Sequence, residues 1–110
     1  IRTWADRVLA NHNVNFDVSF LQAAYQRRKL RWPFGYKTVD LHAVAYLAML
    51  GATRTPPLFK KDGTSGLDLD GILAWLGLPP EPRPHNALNG ALAAADCLRR
   101  IMLGLSQAGG

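Results

Sequence analysis

The 110-residue chain reads as an α/β domain, mostly helical, with two short strands. Three observations predict this. Apolar residues recur at helical spacing in several stretches separated by proline and glycine. The runs Arg7 to His12 and Tyr36 to Val39 suit short strands. Two such strands cannot make a sheet of much stability alone. They are therefore expected to belong to a sheet whose opening strands lie upstream of Ile1, unless the helices pack as a bundle by themselves.

The elements follow in order. Residues Ile1 to Asp6, with Trp4, read as the tail of a helix or turn. After the first strand, Phe20, Leu21 and Ala24 mark a helix from Asp17 to about Leu30, whose far end holds Arg27, Arg28, Lys29 and Arg31. Cations suit the negative end of a helix, and Pro33 stops its continuation. Asp40 is a natural cap for a helix carrying Leu41, Val44, Ala45, Ala48 and Met49 and ending at Gly51. Residues 52–66, with Pro56, Pro57, Gly63 and Gly66, read as a surface loop. Ser65 and Asp68 resemble a capping box before a helix that places Leu69, Ile72, Leu73 and Leu76 on one face and stops near Gly77. Leu78 to Pro84 is a proline-rich connector. A last helix from about Asn86 to Leu103 is expected to bury Leu88, Leu92, Ala95, Leu98 and Met102, and residues 104–110 to fray. The whole is one domain over residues 1–110.

Composition narrows the class. Apolar residues make up 48%, which excludes general disorder. No apolar run approaches the length of a membrane span, and no basic-then-apolar leader opens the chain. Cytoplasmic residence without membrane attachment is the expectation. The single Cys97 excludes an internal disulfide and a cysteine-based zinc site, and its alanine-rich setting suits a buried filler. The net charge of +5 favours an anionic partner, nucleic acid first. Between Tyr25 and Lys37, cations interleave with aromatic residues. The cations suit phosphates, while the rings suit either unpaired bases or inward packing.

Asp17 has two readings from the residues alone. It is either a helix-start carboxylate capping free backbone amides or a metal ligand at the end of a strand. His85 likewise is either a polar residue at a helix start or a proton acceptor, for which an imidazole is suited near neutrality. Asp68 and Asp70 are two apart on a helix and do not share a face, so they read as charges complementing the helix dipole.

The wider pattern speaks to these choices. The stretch Asn11-His12-Asn13-Val14-Asn15-Phe16-Asp17-Val18-Ser19-Phe20-Leu21 resembles the second motif of the DnaQ-like 3′–5′ exonucleases, the DEDDh group with a ribonuclease H-like fold. Thr38-Val39-Asp40 is similar to a following short strand of that family. Leu67 to Leu78 resembles its helix ending in Leu-Gly-Leu, and His85-Asn86-Ala87-Leu88 the start of its third motif, His-x-Ala-Leu. The pieces cover nearly the whole chain in order. The resemblance implies a partial ribonuclease H-like fold and hydrolysis of DNA or RNA from a 3′ end. It implies two magnesium or manganese ions held by four carboxylates, with Asp17 as a metal ligand and His85 as general base. Asn13, Arg27, Arg28, Lys29 and Arg31 are the candidates for contact with a single-stranded 3′ end. A polymerase or another replication or repair protein would be a further partner.

The sequence departs from the family twice. The first motif, Asp-x-Glu, is found nowhere, and the last carboxylate, expected five residues after the histidine, is replaced by Gly90. Asp96 lies six residues beyond Gly90, roughly 9 Å along the helix axis and on another face. One carboxylate of four cannot hold two divalent ions. The chain alone is therefore expected to have little or no nuclease activity. Two other readings stand beside this one: a non-catalytic nucleic-acid-binding module of the same fold, and a small helical protein-interaction domain.

Overall fold

The computed structural model describes residues 7–52 and 67–109. The expectations for residues 1–6, for the loop over 53–66 and for Ser65 lie outside them. The described elements are β1 (Leu9–Asn11), α1 (Val14–Arg27), β2 (Thr38–Asp40), α2 (Leu41–Gly51), α3 (Leu69–Trp75) and α4 (Ala87–Gly109). The fold is α/β and mostly helical, with two short strands. β1 and β2 are parallel, with Leu9 opposite Thr38, Ala10 opposite Val39 and Asn11 opposite Asp40. Parallel neighbours need a crossover, and α1 supplies it.

Helix α1 begins at Val14, three residues earlier than the apolar spacing suggested, because its cap comes from the neighbouring strand. Asn13 adopts the left-handed conformation (φ 55°, ψ 52°) and its side chain caps nothing. Instead the Asp40 carboxylate accepts hydrogen bonds from the backbone N–H groups of Asn13 and Val14, both at 3.1 Å. The helix closes at Arg27, three residues before Leu30. Lys29, at φ 54°, takes the left-handed position that glycine more often fills after a helix. This lets the Leu30 N–H reach the Tyr25 carbonyl at 2.9 Å.

Asp40 also caps α2, accepting from the His42 N–H at 2.9 Å, as expected. Asp68 caps α3, accepting from the Gly71 N–H at 2.8 Å. Gly77 (φ 72°) ends that helix in a conformation that side chains resist. Asn86 caps α4, accepting from the Asn89 N–H at 2.8 Å. α4 continues to Gly109, so residues 104–109 extend the helix instead of forming a frayed tail.

The core joins Leu41, Ala45 and Met49 of α2, Leu67, Ile72 and Leu73 in and beside α3, and Ala93, Ala94, Cys97 and Ile101 of α4. This corrects the expected face of α4. Leu88, Leu92, Ala95 and Met102 are exposed and Leu98 is half-buried. Both stripes keep helical spacing and differ by about one residue of rotation, so periodicity could not choose between them. Small residues face the core because α4 lies against both α2 and α3, where a close approach excludes larger side chains. Among the described residues, no helix is long and apolar enough to cross a membrane.

Candidate functional site

The carboxyl ends of β1 and β2 bring Asn11 and Asp40 side by side. In open parallel sheets this is the end at which ligands gather. Asn11 donates from Nδ2 to Asp17 Oδ2 at 3.1 Å, and its Oδ1 accepts the His12 N–H at 2.8 Å. Asp17 is half-buried in the first turn of α1, near the positive end of the helix dipole. It lies too deep in the helix to cap it, and its partner is a side chain rather than backbone amides. The capping reading thus passes from Asp17 to Asp40, whose two oxygens serve three backbone N–H groups.

His12 joins this end of the sheet to the rest of the chain. Its Nε2 lies 3.0 Å from the Leu67 carbonyl oxygen and must carry the proton there, since a carbonyl only accepts. Its ring meets His42 edge-on, with centroids 6.0 Å apart. The His12–Leu67 bond spans 55 residues, and no local signal could have revealed it.

His85 lies at the end of the proline-rich connector, before α4. Its Nδ1 is 3.1 Å from Glu81 Oε2, with the histidine side chain 47% exposed and the glutamate 13%. The Asn89 amide donates to the carbonyls of Pro84 (3.0 Å) and Pro82 (3.5 Å), strapping the connector to the first turn of α4. A side-chain carbon added at Gly90 would stand 3.4 Å from Glu81 Oε1. Sequence reasoning missed Glu81, because a glutamate among prolines carries no motif that would mark it.

Asp17 and His85 have different partners. Asp17 is held by Asn11 and His85 by Glu81. Among the described residues, no three His, Cys, Asp or Glu side chains converge as ligands for a cation. Both oxygens of Asp40 are committed to backbone amides. A cleft of about 250 Å³ between the connector and α4 is lined by Leu73, Leu78, Pro79, Asn89, Leu92 and Asp96 among others, not by Asp17 or His85.

The cationic candidates occupy the far end of α1. Arg27, Arg28 and Lys29 are exposed there, with Arg31 just beyond. Asn13 is exposed at the opposite end, roughly 20 Å away along the helix axis. Between them, Phe16 and Phe20 are 60% and 63% exposed, with ring centroids 4.8 Å apart. The spacing of Phe16, Phe20 and Arg27 puts all three on one face of α1. By contrast Tyr25, Trp32 and Phe34 pack edge-on against each other at 5.3 and 5.2 Å, the inward alternative for that stretch. Exposed rings are thus found on α1, at Phe16 and Phe20, which also suit a buried stripe, and at Tyr36, 89% exposed.

Cys97 is fully buried, and burial, with the nearby charge of Asp96, pushes its thiol up to about 11. It is a packing residue and not a nucleophile. Comparison with family models, curated proteins and solved structures gave no match to this chain.

Proposed function

We propose that the chain carries the carboxyl-terminal part of a DnaQ-like 3′–5′ exonuclease domain of ribonuclease H-like parentage, and that by itself it binds the end of a DNA or RNA single strand without hydrolysing it. The observation that carries this is the exposed face of α1. There Phe16 and Phe20 offer two adjacent exposed rings, tilted 55° to each other, and Arg27 follows on the same face with Arg28 and Lys29 beside it. Rings that stack on bases beside cations that track the backbone are what a single strand needs. The net charge of +5 adds long-range attraction. Asp17 on the same helix and His85 before α4 supply the two family positions that the sequence retains. The resemblance of the motifs supports the lineage, and the parallel β1–α1–β2 unit accords with it.

The test uses a labelled single-stranded oligonucleotide. Binding followed by fluorescence anisotropy is expected to weaken as salt rises, and Phe16→Ala and Phe20→Ala are each expected to cost about 1–3 kcal/mol, the usual loss of one base–aromatic stack. With manganese added, the strand is expected to stay intact. Loss of 3′ nucleotides that Asp17→Ala abolishes would overturn the inactivity. Absence of binding at low salt would overturn the nucleic-acid reading altogether.

A further inference from the structure

We propose that Glu81 is a positioning residue for His85, fixing its imidazole as the Nδ1–H tautomer with Nε2 as the basic atom, and that Gly90 is the position that makes room for it. The inference rests on the reading of His85 as the proton acceptor of the site and adds two residues to that site.

The argument starts from chemistry. An ionised carboxylate accepts hydrogen bonds and donates none. At 3.1 Å from Glu81 Oε2, Nδ1 of His85 must therefore carry the proton. In the neutral ring the other nitrogen is then bare. A histidine held this way has one defined basic atom and a restricted ring orientation. The same arrangement of a carboxylate behind an imidazole orients proton-accepting histidines on unrelated folds.

The surroundings show that the pair is built rather than incidental. Glu81 is largely buried, unlike most glutamates, although its partner is half exposed. The prolines at 79, 80, 82 and 84 limit the freedom of the connector. Asn89 straps the connector to α4 through the carbonyls of Pro82 and Pro84, on either side of Arg83. Directly beneath, position 90 has no side chain, and Glu81 Oε1 lies 3.4 Å from where one would begin. A methyl group there makes ordinary contact, but a longer side chain claims the space of the carboxylate. Space for Glu81 is a physical reason for position 90 to carry a residue no longer than alanine.

The decisive measurement is nitrogen NMR of the isotopically labelled chain at a pH where the His85 ring is neutral, since the two ring nitrogens report the tautomer directly. The unaltered chain is expected to show Nδ1–H as the dominant form. In Glu81→Ala that form falls to a minor share. Gly90→Ala leaves it dominant, whereas Gly90→Leu, which keeps Glu81 but takes its space, loses it as Glu81→Ala does. Proton-exchange protection of the α4 amides, unchanged in all three variants, shows that the helix has not unfolded. A ring that is Nε2–H in the unaltered chain, or indifferent to Glu81→Ala, would overturn the proposal. An unaltered ring in Gly90→Leu would overturn the part given to Gly90. None of these signals depends on nucleic acid, so a chain that fails to bind a strand end would refute the proposed function while leaving the positioning of His85 standing.

Discussion

Replacing Asp40 with alanine removes a side chain that holds three segments together. Its Oδ1 accepts the N–H groups of Asn13 and His42, and its Oδ2 accepts that of Val14. Hydrogen bonds to a charged group contribute about 1.5–3 kcal/mol each when they are protected from water. Asp40 is half-buried, and water can take over part of the lost bonding at the exposed Asn13. The expected loss is therefore about 2–4 kcal/mol, not the full sum. For a domain of this size that lowers Tm by roughly 8–16 °C. Asp40→Asn sharpens the test. It keeps a single acceptor oxygen and turns an NH₂ group toward a backbone donor, so it is expected to recover less than half of the loss. Urea unfolding followed by circular dichroism, at constant m-value, gives the number. A change below about 0.5 kcal/mol in Asp40→Ala, the scale of ordinary surface substitutions, would refute the idea that this carboxylate starts both helices.

Other expectations follow from the same geometry. The triple change Arg27→Ala, Arg28→Ala, Lys29→Ala is expected to reduce the salt slope of single-strand binding by up to about 2, at about 0.7 for each phosphate left without its cation. Ile101→Ala should cost about 2–5 kcal/mol and Leu88→Ala less than about 0.5, since the first is 5% and the second 67% exposed. Equal effects in chemical unfolding would show that α4 is rotated from the orientation described. Cys97 ionises at about 11 when folded, above its ordinary value of 9.0. Between these values the unfolded chain has released the thiol proton and the folded one has kept it. Stability should thus fall as pH rises through this window, by up to about 2–3 kcal/mol. Cys97→Ala should flatten that part of the pH profile.

Much of the helical framework was legible because its signals are local. Asp40 caps the helix it immediately precedes, Asn86 does the same for α4, and Gly77 marks the end of α3. The start of α1 was not legible. Its cap sits 26 residues away from Val14, on a strand that reaches it only after the sheet has paired. The face of α4 failed for a different reason. Alanine and cysteine score as weaker apolar signals than leucine, yet a close helix contact selects them for their small volume. At the candidate site, the motif singled out Asp17 and His85 but neither of their partners. Asn11 is a routine polar residue until the strand brings its amide to Asp17. Glu81 gains meaning only from a connector folded over a helix, a relation that sequence spacing does not encode.

The seam of Ala93, Ala94 and Cys97 seats the middle of α4 against the core. Those side chains set how closely the helix sits, so extra bulk there would tilt the rod rather than merely crowd it. From Ala94 back to Ala87, where α4 starts, is roughly 10 Å of helix rise. A change of volume at that seam would therefore be felt at the strap that Asn89 makes with the prolines. The connector is in this sense tied to the interior, through Leu78 packed against the core and Ala93 lining the cleft beside its prolines.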